Sequence, residues 1–471
     1  MRVLIIVGSR EIVHVMVPPL GEAYLGAYLS SQGHEIKILD LTLSNDHKGD
    51  IQDVIYGFEP DVIGISIRNI DSTTYPGNLF FYLPVKNVIN YIKKIAEPEI
   101  PVILGGAGFS IFSEEILRDL DHELGVFGEG EYVFEKILEN IKKGEDIRKI
   151  EHGICYLTED GEYYQKPPWR VDKLDELPFP ARELIDNEAY HIDPLYESGP
   201  IWANIQTKRK KKKNCIYCSY KYIEGGAVRY RSPEDIAEEL DFVVNNLGIR
   251  NIFFVDSLFN LNYTHTKEIC QEIVKRDIDV NWGANYAPSK QFIDLLPLMK
   301  ESGAIHLATG MESLSDEMLK NMKKYRTRND AILTSEKCFE LEIEQLIHMI
   351  VGGPGETLET IRASLDQLEK VQNYTGNKWQ GDGDVLMFIG MRIYPHTELQ
   401  SIAEEQGAIQ PGENLLTPKF YINPELKEVD LFKVVRDYCK DNPRWMVPGL
   451  GINNPEGFGE MSQMQFQLYQ S

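Results

Sequence analysis

A chain of 471 residues with a formal net charge of −24 is long enough for about two to four separate cores. It is too acidic to offer a broad surface to a polyanion, because phosphate backbones are gripped by clustered lysine and arginine, so nucleic acid is excluded as an expected partner. No apolar run reaches bilayer length, MRVLIIVGSR lacks a signal peptide's charged n-region and cleavage site, and four of the six cysteines (Cys155, Cys270, Cys338, Cys439) stand alone, so a cytoplasmic protein without a membrane span is expected.

Short apolar runs alternate with helical stretches from the start: VLIIVG at 3–8, GEAYLGAYLSSQG at 21–33, IKILDL at 36–41, DVIGISI at 61–67 and PVILGG at 101–106. That is the βαβ pattern of a parallel sheet, with glycines at the strand ends where a ligand would lie. It predicts a doubly wound, Rossmann-like α/β domain over 1–150. The proline-rich stretch Pro167 to Pro180 has many breakers and little periodicity, so 151–195 reads as a linker.

Strand and helix alternation resumes with WANIQT, NIFFVD at 251–256, VNWGANY at 280–286, HLATGMES at 306–313, LIHMIVGG at 346–353 and DVLMFIGMRIYP at 384–395. Helical stretches such as PEDIAEELDFVVNNLG separate them, so 196–400 is predicted to be a partial parallel β/α barrel. The remainder, 401–471, reads as a small C-terminal domain.

Only Cys215 and Cys218 are paired, and Cys-x-x-Cys spacing suits a metal or redox site. Polar residues at strand carboxyl ends are the other candidates, since parallel barrels place their sites there: Asp256 and Ser257, Asn285, then Gly310 and Glu312. Each could equally cap the following helix. Gly352, Gly353, Pro354 and Gly355 form a turn that permits close backbone approach to a ligand, or is simply tight.

Cys215-Ile216-Tyr217-Cys218 after a first barrel strand, with NIFFVDSLFN, GMES, GGPGET and RIYPHTELQSIAEEQGAI in that order, resembles the cobalamin-binding radical-SAM enzymes. PPLGEAYLGAYLSSQGHEIKILD, GISIRN, ILGGAG and VFGEGE resemble the cobalamin-binding domain fused to those barrels. The resemblance implies a 4Fe-4S cluster on Cys215 and Cys218, with a third cysteine expected where this chain has Lys211. A protonated ammonium cannot ligate iron, and a neutral amine is a poor substitute for thiolate. An altered loop, a lineage without redox chemistry, and a cluster with another ligand stay open as explanations.

It also implies that S-adenosylmethionine (SAM) contacts Asp256, Ser257, Asn285, Gly310, Glu312 and the 352–355 turn. Cobalamin would contact Pro19, Leu20, Gly21, Ser66, Arg68, Gly105, Gly106, Gly128 and Glu129. The Asp-x-His-x-x-Gly signature is absent, with only His14 and His34 nearby, so cobalamin is expected without a histidine ligand. The implied activity is methylation of an unactivated carbon in a small molecule, peptide or protein, with flavodoxin or ferredoxin as electron donor. Ring rearrangement or cyclisation, and cofactor binding without turnover because of Lys211, are the alternatives.

Overall fold

The computed structural model describes residues 1–8, 16–193, 198–210, 215–372, 385–426 and 430–452. Lys211 and His14 lie outside them. The chain forms two compact units, one of 1–72, 80–204 and 222–231, the other of 73–79, 205–221 and 232–471.

In the first unit, β1 (Arg2–Val7), β2 (Glu35–Asp40), β3 (Val62–Ser66), β4 (Val102–Gly105) and β5 (Leu124–Val126) are parallel, in the order β2-β1-β3-β4-β5. Val3, Leu4, Ile5 and Ile6 are all buried, as expected of a central strand covered by helices on both faces. The edge strand β2 instead keeps Glu35 and Lys37 exposed. Residues 151–195, read above as a linker, contribute β6 (Ile154–Leu157) and β7 (Tyr163–Gln165). These extend the same sheet in antiparallel fashion, so the segment belongs to this unit's framework.

Two short strands, β8 (His191–Asp193) and β9 (Ser198–Ile205), form an antiparallel pair. After β10 (Lys208–Arg209) and β11 (Arg229–Tyr230), the second unit is built on β12 (Asn251–Phe254), β13 (Asn281–Tyr286), β14 (Ala304–Glu312), β15 (Glu344–Val351) and β16 (Val385–Ile389). All are parallel and neighbours in chain order. β17 (Met391–Arg392) and β18 (Phe420–Tyr421) pair antiparallel. β19 (Trp445–Met446) then joins β16 in parallel.

Alternation along β15 sends Ile347, Met349 and Val351 into the core behind the sheet, where they meet Leu431, Val435 and Trp445 of the C-terminal segment. The described part of 401–471 therefore closes the barrel's own core instead of standing apart. Among the described residues no helix is long and apolar enough to cross a membrane.

Candidate cofactor and substrate site

The site grows from a clamp at the root of the cysteine loop. Asp256, just past β12, accepts from Thr207 N at 3.0 Å and Lys208 N at 3.1 Å on Oδ1, and from Thr207 Oγ1 at 2.5 Å and Lys208 Nζ at 3.0 Å on Oδ2. Lys208 Nζ also donates to Phe259 O at 3.1 Å. With side chains only 2% and 1% exposed, the pair is strongly desolvated. Burial pushes the Lys208 pKa down, and Asp256 opposes that. Both Asp256 carboxylate oxygens are thus engaged by the chain, and its main-chain carbonyl is held by Asn285 Nδ2 at 3.0 Å.

Beyond the clamp, Cys218 N donates to Cys215 O at 3.2 Å in a tight turn, and Leu399 N holds Ile216 O at 2.9 Å. Cys215 then lines a cavity of about 140 Å³ together with Ser257, Asn285, Gly310 and Glu312. Five residues singled out in the sequence, from four separate segments, meet there. The other walls come from Lys324, Tyr325, Arg326 and His348 with small apolar neighbours.

Glu312 faces the cavity because β14 is irregular at its end. The register with β15 shifts between Gly310 and Glu312, and Glu312 takes φ +62, a conformation that costs a non-glycine residue energy and tends to mark functional sites. Lys324 Nζ lies 2.7 Å and Arg326 Nη2 3.4 Å from Glu312 Oε1. Burial opposes ionisation, but Lys324 and Arg326 outweigh it and hold the carboxyl at about 2. Lys324 also sits 4.8 Å above the Tyr217 ring. Arg326 is only 6% exposed, yet its Nε and Nη2 make no hydrogen bond. Buried donors of that kind ordinarily have acceptors, so they mark a place for an anionic group.

Lys324, Arg326 and His348 were not among the residues expected from sequence. The available signals were an acid at a strand end with no counter-charge beside it, and a lone histidine in the apolar run LIHMIV.

The turn after β15 is built differently. Gly352 and Gly355 have φ +96 and +76, where side chains are strained. Glu356 folds back so that its Oε2 accepts from Gly352 N and Gly353 N, and Asn423 Nδ2 holds Glu356 O at 2.7 Å. Burial pushes the Glu356 carboxyl up to about 7, against those two N–H donors. This turn does not line the cavity.

The thiol inventory bears on the cluster. Burial pushes Cys155, Cys270 and Cys338 up to about 12 and Cys439 up to about 11, and none of them lines the cavity. Among the described residues no group of three metal-binding side chains converges. Cys215 and Cys218 supply two sulfur ligands, and position 211 supplies lysine. That set does not fit a three-thiolate cluster.

In the first unit, the residues expected at cobalamin gather past the carboxyl ends of the parallel strands. Pro19, Leu20 and Gly21 open the helix Leu20–Ser31 after β1, Ser66 and Arg68 follow β3, Gly105 and Gly106 follow β4, and Gly128 and Glu129 follow β5. Gly106, with φ +99, passes so close to Ile67 that a Cβ would stand 2.6 Å from its carbonyl oxygen. A Cβ on Gly21 would meet nothing within 4 Å. Glu22, buried in the first turn of that helix, has its carboxyl raised by burial, with Ser66 and Arg68 opposing. Glu129 is engaged within the unit: Arg229 grips it through both terminal nitrogens, and Val171 N donates to it at 3.0 Å.

A glycine-edged doubly wound sheet followed by a parallel barrel with paired cysteines after its first strand defines a class of cofactor-carrying barrel enzymes. Two family models divide the chain in the same way, B12 binding domain over residues 11–138 and Radical SAM superfamily over 212–368. The chain is a cobalamin-binding member of the radical-SAM superfamily. The cofactors of that class are a 4Fe-4S cluster, SAM and cobalamin.

Over 410 residues it is 27% identical to an uncharacterized methyltransferase of Pyrococcus horikoshii, covering 86% of this chain and 83% of that one. Over 438 residues it is 25% identical to cytidylyl-2-hydroxyethylphosphonate methyltransferase of Streptomyces wedmorensis, covering 84% and 80%. The fold is shared with the radical SAM methyltransferase TsrM of Kitasatospora setae bound to tryptophan and a SAM analog, at TM-score 0.81 and 21% identity over 98% of this chain and 95% of that one. TsrM has also been solved with cobalamin and a 4Fe-4S cluster.

Proposed function

We propose that this chain is of the cobalamin- and SAM-dependent methyltransferase type, transferring a methyl group to a carbon of a small molecule. The observation that carries the reading is the convergence of Cys215, Ser257, Asn285, Gly310 and Glu312 on one cavity beside the Lys324–Glu312–Arg326 charge cluster. SAM ends in an amino-acid zwitterion. Glu312 offers a carboxylate to its ammonium, and Arg326, whose Nε makes no hydrogen bond, offers its guanidinium to its carboxylate. Cobalamin would be held at the strand ends of the first unit by Pro19 to Gly21, Ser66, Arg68, Gly105 and Gly106, and when bound it would carry the methyl group. Gly128 completes that edge, whereas the Arg229 pairing leaves Glu129 a framework role.

The relatives named as methyltransferases above match a larger share of both chains than a relative named as a cyclase, which covers 73% of this chain and 60% of its own. That favours methyl transfer over cyclisation. The same reading places the protein in the cytoplasm with no nucleic-acid partner. A form bearing cysteine at position 211 would need an electron donor such as flavodoxin or ferredoxin.

The test is to prepare the natural chain and the Lys211→Cys variant anaerobically with hydroxocobalamin, iron and sulfide, to add SAM and a low-potential reductant such as dithionite or reduced flavodoxin, and to measure S-adenosylhomocysteine and 5′-deoxyadenosine. S-adenosylhomocysteine from the Lys211→Cys variant supports methyl transfer. Production of 5′-deoxyadenosine alone would favour rearrangement or cyclisation, and neither product would remove the enzymatic reading.

A further inference from the structure

The loops after β4 and β5 carry Gly105, Gly106 and Gly128, and the sheet itself does little to space them. Strands β4 and β5 are four and three residues long and in register at Leu104 and Gly125, so their ladder stops short of both loops. The hold comes from Ser110, on the short helix Ala107–Ile111 that leaves the β4 loop. Its hydroxyl donates to Gly106 O at 2.8 Å and accepts from Gly128 N at 3.0 Å. Ser110 is only 1% exposed, so a single buried side chain bridges the two loops.

The two halves of this bridge differ in meaning. A bond back to the carbonyl four residues earlier is what a helical serine makes anywhere, and Gly106 O also takes the helical bond from Ser110 N at 2.9 Å. The bond from Gly128 N is not local, because it comes from the loop of another strand. Both loops are otherwise backed by firm surroundings. Ile67 N donates to Gly105 O at 2.8 Å and Phe109 N to Ile67 O at 3.2 Å, and a Cβ on Gly108 would stand 2.9 Å from Arg68 O, so the β4 loop is pressed against the end of β3. Gly128 takes φ +86, and a Cβ there would stand 3.1 Å from Pro168 Cβ. With one loop seated on β3 and the other on Pro168, the hydroxyl that joins them sets the gap. Alanine at 110 would leave Gly128 N without its acceptor, and an unmet buried N–H is relieved by movement of the loop that carries it.

We propose that Ser110 is a positioning residue for cobalamin binding, its hydroxyl fixing the Gly128 loop relative to the Gly105–Gly106 loop in the arrangement that accepts the cofactor. Being buried, it acts through the backbone of Gly106 and Gly128. This rests on reading these strand ends as the cobalamin site.

Equilibrium dialysis of the full-length protein against hydroxocobalamin measures the affinity of the natural chain and of three variants. Ser110→Ala is expected to weaken binding about tenfold, the worth of one buried hydrogen bond. Ser110→Cys, which keeps the volume but accepts poorly from an N–H, should weaken it similarly. Ser113→Ala is the control for a merely structural role. It removes a buried hydroxyl of the same unit, paired with Tyr163 OH at 2.6 Å, and should keep the affinity within about twofold while its melting temperature falls as far as that of Ser110→Ala. Natural affinity in Ser110→Ala, or equal weakening in Ser113→Ala, would overturn the proposal and leave the cobalamin site standing. No binding by the natural chain would remove the site and the proposal with it. If Ser110→Ala melts below the assay temperature, Ser110→Cys carries the same two criteria.

Discussion

Two glutamates, one at the end of β14 and one in the turn after the neighbouring β15, have their carboxyl pKa values moved in opposite directions. Glu312, at the end of β14, is kept ionised down to about 2 by Lys324 and Arg326. Glu356, in the turn after β15, is pushed up to about 7 because only two backbone N–H groups offset its burial. Burial is therefore not what sets the charge; the partners are. The first arrangement fixes a charge on a cavity wall beside an arginine with spare donors. The second fastens a glycine turn to the strand it follows through Oε2 alone.

The largest expected effect lies outside both, in the clamp that sets the cysteine loop. Asp256→Ala strands the buried Lys208 ammonium and should cost about 3–5 kcal/mol in chemical denaturation. The double variant Asp256→Ala with Lys208→Met should recover part of that loss. If the single variant loses less than the double, the pair is not a clamp.

Glu312→Gln comes next. The unfolded chain takes up this proton near the ordinary 4.5 and the folded chain only near 2. Stabilisation is therefore complete above the first value and is lost as pH falls towards the second. The difference corresponds to about 3 kcal/mol at neutral pH. Denaturant titrations from pH 3 to 7 should show that acid limb in the natural protein and a flattened one in the Gln variant.

Glu356→Gln should behave in the opposite sense and more weakly. A folded pKa raised to about 7 gives stability that is complete below the ordinary carboxylate value and fades as pH rises to neutrality. The amide oxygen still accepts from Gly352 and Gly353, so the variant should be more stable than the natural chain at pH 8 by on the order of 1 kcal/mol. A loss of stability at pH 8 would mean the carboxylate charge is needed there, and the contrast between the two turns would fail.

The parallel sheets were legible because their strands are continuous apolar runs, as in VLIIVG and LIHMIVGG, ended by glycine. The same signal located Asn285, Gly310 and Glu312 at strand ends, since a βα turn fixes where the strand stops. What strand periodicity does not encode is which way a loop folds back. Lys324 and Arg326 follow GMES by more than ten residues and read as surface charge until the chain returns them to Glu312. Asp256 was legible as a strand-end acid, but its engagement by Thr207 and Lys208 depends on a contact 48 positions away in sequence. Residues 151–195 misled because proline and charge obscure short antiparallel strands such as Tyr163–Gln165, which are fixed by pairing with β6 and not by their own pattern.

The most direct test of the central claim is equilibrium binding of SAM to the purified chain, followed by the same titration on Arg326→Gln. The account predicts saturable binding by the natural protein, weakened about tenfold to a hundredfold in the variant, as expected for one charge-assisted pair. Binding of equal strength in both, or none in the natural protein, would contradict the assignment of this cavity to SAM.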